Sequence, residues 1–327
     1  MPEPSPTSVR RGRLLRFGAA LVVLLALAGY LTVQYLTGGT GAPRCKVVSG
    51  KGDGASYEFT PEQAVNAATI SAVGTSRGMP ERAVTIALAT ALQESGLRNI
   101  QHGDRDSLGL FQQRPSQGWG TTRQIMDPTY AAGVFYEHLA KVPDYARLPL
   151  TVAAQRVQRS GYPQAYAKHE SDATLLAGAL TGVAAATLTC EGRPDATPVG
   201  GADSVRAALV RDFGRDVLQE AGADVAAAGA SASPSAAASA PVSSTDGGRT
   251  VTVPVRKDSA GTGARRRGWE LAHWAVANSA ALHIERVSYA DREWTAGSTD
   301  SQWRTAGSKT GPAARKSAAE VRIITGQ

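Results

Sequence analysis

Residues 80–96 read PERAVTIALATALQESG, and residues 107–115 read SLGLFQQRP. In the first stretch Ala83, Val84, Ala87, Leu88, Ala91 and Leu92 recur at three- and four-residue intervals, the period of a helix with one buried side. Pro80 suits the start of that helix and Gly96 its stop. Glu94 therefore falls at the end of an apolar helix. Beside it runs a segment, 97–122, rich in Gly, Asp, Gln and Ser, which reads as loop. A carboxyl in that position meets apolar neighbours and the negative end of the helix dipole. Both effects raise its pKa, as a general acid working near neutral pH requires.

Working outward, the same logic predicts more helices. Thr60-Pro61-Glu62-Gln63 offers an N-cap, a first-position proline and a capping-box glutamine, so a helix should run to about Arg77. Further helices are expected from Asp127-Pro128 to about Lys141, from Pro149 to Ser160, and from Pro163 to Leu180. Residues 45–59 read as irregular. Cys45 and Cys190 bracket this helical domain, 45–190, whose charge is balanced. Outside a cell they read as a disulfide joining the ends of the domain.

The N-terminus carries a different signal. Residues 17–36 hold no charge, and twenty such residues in a helix span about the 30 Å of a bilayer core. Arg10, Arg11, Arg13 and Arg16 precede the run, and the next basic residue is Arg44. The positive-inside rule then puts a basic tail, 1–16, in the cytoplasm and the rest of the chain outside the membrane. That topology argues against a nucleic-acid partner, despite a formal charge of +7.

Beyond the helical domain, residues 201–221 read as one amphipathic helix through Val205, Leu209, Phe213 and Val217. Residues 222–248, mostly Ala, Ser, Gly and Pro, read as a linker. Residues 249–327 then read as a small α+β module. Strands are expected at 250–255, 286–294 and 320–325, and a helix at 268–282. The module holds Trp269, Trp274, Trp294 and Trp303, which suit a small core, and Arg265-Arg266-Arg267, a candidate patch for anionic cell-wall polymers. The expected fold class is thus mainly α: a membrane helix, a helical domain and an α+β module.

The pairing of Glu94-Ser95 with Ser107, Gly109, Leu110, Gln112 and Pro115 resembles the lytic transglycosylase and goose-type lysozyme superfamily, with Phe111 where the family has Met. That resemblance covers about residues 60–180. The family's third motif, Ala-Tyr-Asn-Ala-Gly, has only Val157-Gln158-Arg159-Ser160-Gly161 to match it, and Gln158 stands where a Tyr would line the site. The resemblance implies a lysozyme-like domain that cleaves the glycan of peptidoglycan, with Glu94 as acid and then base. Ser95 would hold Glu94. Ser107, Gly109, Leu110, Phe111, Gln112 and Gln158 would meet the substrate, with Gly109 admitting the sugar closely.

Two outcomes separate at this site. A single-carboxylate route yields an anhydro-muramic product, whereas a second carboxylate from Asp104 or Asp106 would activate water and give hydrolysis. A third reading keeps the fold but loses the activity, leaving a protein that binds peptidoglycan without cutting it. Asp-rich loops also commonly just shape a turn. Trp119 and Tyr162 are candidates to stack on sugar rings. No cofactor is expected, and five scattered His with two Cys offer no metal cluster.

Overall fold

The computed structural model describes Leu24, Gly29, and residues 44–160, 164–192, 201–219, 248–255, 263–297, 302–306 and 319–326. Leu24 and Gly29 are helical. The rest of the expected membrane segment, the basic tail and nearly all of the linker lie outside the described residues. Among the described residues no helix is long and apolar enough to cross a membrane.

The described residues from 44 onward form one compact unit, about half helical, with two antiparallel sheets. Its helices of nine or more residues are α1 (Pro61–Ser76), α2 (Glu81–Ser95), α3 (Pro128–Ala140), α4 (Leu150–Gln158), α5 (Glu170–Leu180), α6 (Gly201–Phe213) and α7 (Ala264–Ala277). Helices α1 and α3 start at side-chain caps, whereas α2 and α4 follow Pro80 and Pro149, which make no capping hydrogen bond. Thr60 and Gln63 form a reciprocal capping box on α1, and Asp127 accepts from the first amides of α3. Helix α1 is central and packs against α2, α3, α5, α6 and α7. Helix α5 begins at Glu170, after a single 3-10 turn at Ala167–His169, and so later than expected.

Residues 45–59 are not irregular. Strands β1 (Cys45–Val48) and β2 (Ser56–Phe59) pair antiparallel, and β3 (Leu188–Cys190) flanks β1 on its other side. Strands of three or four residues are too short to display a period, which is why the sequence hides them. Register places Cys45 opposite Cys190, and the two form a disulfide, so the bridge closes the ends of the helical region as expected.

The second sheet holds β4 (Thr250–Pro254), β5 (Ile284–Tyr289), β6 (Arg292–Thr295), β7 (Arg304–Thr305) and β8 (Glu320–Thr325), in the order β4-β8-β5-β6-β7. The single strand expected at 286–294 is a hairpin. Ala290 and Asp291 both take positive φ, 48° and 59°, as a two-residue type I′ turn demands. Neither is the Asn-Gly pair that would announce such a turn.

Helix α7 covers this sheet and also seats against α1, α5 and β3, so one hydrophobic core runs through both parts of the compact unit. Polar groups pin that contact. Trp274 Nε1 donates to the fully buried Asp212 at 2.8 Å, and Thr69 donates to the same carboxylate at 3.3 Å. Glu270 accepts from Thr75 and pairs with Arg267 at 2.8 Å. Trp303 Nε1 donates to Leu188 O at 2.9 Å. Gly182 (φ 72°) is required here, because a Cβ on it would lie 1.9 Å from Arg266 O. All four tryptophans of this region are core residues. Arg266 donates to Thr181 O at 2.9 Å, and Arg267, besides pairing with Glu270, lies over the Phe213 ring. The arginine run expected as an anion patch is therefore partly committed to internal contacts.

Candidate functional site

Glu94 sits one residue before the end of α2, whose stop is Gly96 in the left-handed conformation. Apolar residues fill the preceding turns, so the carboxyl is half-buried. Its partners are neutral. Tyr166 Oη donates to Glu94 Oε1 at 2.7 Å, and the Gln158 amide lies beside it. Burial raises the Glu94 pKa above the ordinary 4.5, while the Tyr166 and Gln158 hydrogen bonds pull the other way without cancelling it. Burial and the adjacent Glu94 push the Tyr166 phenol far above its usual value, so it stays protonated as a donor.

The facing loop is built on the end of α2. Ser95 Oγ donates to Leu110 O at 2.8 Å and accepts from Arg98 N–H at 3.2 Å. Ser95 thus fastens the 107–115 loop to the helix that carries Glu94. Leu108 and Gln113 pair as an isolated antiparallel bridge, with Gln112 (φ 48°) turning the chain between them. Gly109 (φ 75°) donates its N–H to Ile100 O at 2.7 Å, and a Cβ there would lie 2.8 Å from Ile125 O. Its glycine is needed for the protein's own chain packing as well as for any close approach by a ligand.

Several residues expected to line a substrate do other things. Leu110 and Phe111 are fully buried, and Phe111 stacks on Phe135 at 4.6 Å, so both are core. Ser107 is buried and donates its N–H to Asp104 O at 3.0 Å. Gln112 folds its amide back toward Gly109 O at 3.3 Å. Gln158 donates to Phe111 O at 2.7 Å, tying the end of α4 to the loop next to Glu94.

The two loop aspartates differ. Asp106 is occupied: Arg114 pairs with it at 2.8 Å and Ser116 N–H donates to it at 2.8 Å. The Arg114 guanidinium, then the Ser116 contacts, hold its pKa far below the usual range. Arg114 and Ser116 make it a loop clasp, and a carboxylate held so low is a poor base. Asp104 is exposed.

Tyr166 was not among the expected residues. The available signal was the Ala165-Tyr166 dipeptide, but Gly161 drew the third motif upstream onto Gln158. Tyr162 lies outside the described residues. A cleft of 690 Å³ opens alongside Gln158, with Trp119, His138, Lys141, Arg156 and Arg159 in its lining. Trp119 stacks on His138 at 4.2 Å. Burial, then Lys141, holds His138 below its usual pKa. Among the described residues no three His, Cys, Asp or Glu side chains gather to hold a metal.

Residues 215–316 match the family model described as "VldE, C-terminal domain". The matched stretch includes β4 to β7 and α7 but stops before β8, the strand between β4 and β5. No curated protein matches the chain. The match does not reach Glu94, Tyr166 or the cleft.

Proposed function

We propose that the helical region is a lysozyme-like domain that cleaves the glycan of peptidoglycan, most simply as a lytic transglycosylase. One observation carries the reading: the Tyr166 hydroxyl holds the partly buried Glu94 Oε1 at 2.7 Å, and among the described residues no cation pairs with the carboxylate. A glutamate so placed keeps its proton to higher pH than a solvated one, and its orientation is fixed. The resemblance carried by Glu94-Ser95 and by Ser107 to Pro115 supplies the substrate class, and Tyr166, with Gln158, stands beside the acid.

Glu94 protonates the glycosidic oxygen as the bond to muramic acid breaks. The acetamido group of the sugar meets the charge at C1, an exception to the two-carboxylate scheme. Glu94, now ionised, draws the proton from the muramic 6-hydroxyl as that oxygen closes on C1, giving the anhydro sugar. Asp106 being engaged by Arg114 and Ser116 favours this route over hydrolysis. The uncharged run at 17–36 supports a setting at the outer face of a membrane, where the chain would meet the wall.

The test incubates the full chain with purified peptidoglycan and reads released muropeptides by mass spectrometry. Anhydro-muramic ends from the wild type are expected, with release cut at least about a hundredfold by Glu94→Gln. Equal release from both proteins overturns Glu94 as the acid. Sedimentation with the wall but no release from either would mean a binding protein.

A further inference from the structure

Gln158 belongs to two places at once. Its amide donates to Phe111 O beside Glu94, and the same residue lines the 690 Å³ cleft. The rest of that lining has a strong charge bias. Lys141, Arg156 and Arg159 contribute cations, and no Asp or Glu lines the cleft. Among the described residues none of the three makes an ion pair. Arg77, Arg82 and Arg114 are matched, with Glu137, Glu170 and Asp106, whereas Arg98, Arg123 and Arg147 also make no ion pair among the described residues, so what sets the cleft apart is the gathering of three such cations on one surface. Three unmatched cations converging on one concave surface repel one another and favour an anionic occupant. The partly exposed His138 ring, backed by the buried Trp119 on which it stacks, supplies a flat wall for apolar parts of that occupant.

We propose that this cleft binds the carboxylate-bearing peptide stem of the muramic acid on which Glu94 acts. The inference rests on the glycan-cleaving reading above. Muramic acid carries its peptide on the sugar whose bond is broken, so the stem must leave the site close to the acid. The cleft begins one side chain from Glu94, at Gln158. Stem carboxylates would then accept charge-assisted hydrogen bonds from Arg156, Arg159 and Lys141.

The test uses the full chain and two glycans: one with intact stems, one stripped of stems by an amidase. The ratio of kcat/KM on stem-bearing to stem-free glycan is measured for wild type and for Lys141→Gln/Arg156→Gln. Both positions are exposed, and a melting curve checks the fold. The wild type should prefer stem-bearing glycan. The double variant should lose about tenfold of that preference, mainly through KM, as expected when hydrogen bonds to charged groups are removed. Arg156→Lys should retain most of it. An unchanged ratio, with the wild type still cleaving both glycans, overturns the cleft assignment and leaves the activity standing. A loss seen only on wall material that keeps its phosphate-rich polymers also overturns it and identifies those polymers as the ligand. Failure of the wild type on both glycans removes the underlying reading instead.

Discussion

The end of α2 and the face of α7 each bury an acidic side chain, and they treat it in opposite ways. Glu270 on α7 is 3% exposed and meets a charge, Arg267, at 2.8 Å, with Thr75 completing its shell. Asp212, opposite α7, is gripped by both arms of Arg211 at 2.7 and 3.1 Å and by Trp274. Among the described residues Glu94 has no cation partner. It has a phenol and an amide, and it lies next to a cleft rather than inside the core. A carboxylate matched by arginine is an ionised fastener, expensive to disturb and of little use for moving protons. One held by neutral donors and partly buried is oriented but uncommitted, and burial raises its pKa. Asp106 extends the contrast into the loop facing Glu94, where Arg114 makes it a fastener too.

The sharpest way to break this contrast is to remove one acid of each kind. Glu94→Gln should abolish the proposed glycan cleavage while leaving the fold intact. Sign matters for stability: the folded pKa of Glu94 is raised, so the wild type loses stability as pH rises through its titration. Glu94→Gln escapes that loss, and should match or exceed the wild type in urea at neutral pH. Glu270→Ala should do the reverse. It leaves Arg267, 15% exposed, without its counter-charge, at a cost of about 3 kcal/mol in urea denaturation.

Acid pH probes the α7 face next. His273 is fully buried, with Nδ1 on Ala179 O at 2.8 Å and Nε2 accepting from Thr187 N–H at 3.2 Å, which is the neutral ring. Burial pushes its pKa down to about 4. A histidine depressed in the folded state contributes stability that is complete above pH 6.5 and is lost as pH falls from there toward 4. The loss should be on the order of 3 kcal/mol at most, and His273→Gln should flatten that part of the pH–stability curve.

Tyr166→Phe gives the smallest effect, on the other side of the comparison. The phenol favours ionised Glu94, so removing it raises the glutamate's pKa further. The alkaline limb of the activity profile should move upward, by less than about one pH unit. A downward move would mean that Tyr166 holds the protonated form.

How legible these two regions were in the sequence differs for a physical reason. Caps and periods are local, so Thr60-Pro61, Pro80 and Asp127-Pro128 announced α1, α2 and α3 within a residue or two. Glu94 and the 107–115 loop were legible for the same reason, since short spacing along one helix and one loop fixes them. Tyr166 was not, because it reaches Glu94 from an irregular turn 72 residues away. The α7 contacts were equally hidden: Trp274 to Asp212 spans 62 residues, and His273 to Ala179 spans 94. Each tryptophan looked like core, but nothing local said that the core was shared with α1 and β3. The strands at 45–48 and 56–59 escaped because four residues carry no readable alternation.

The most direct measurement is a side-chain carboxyl NMR titration of carbon-13-labelled full chain, with Glu94→Gln to assign the signal. Glu94 should titrate above 4.5, clearly separated from Asp106, whose signal should stay ionised through the acid range. The Glu94 midpoint should climb further in Tyr166→Phe. A Glu94 that titrates at or below 4.5, or is insensitive to Tyr166, would contradict the claim that an uncommitted, neutrally held carboxyl is the chemical centre of this protein.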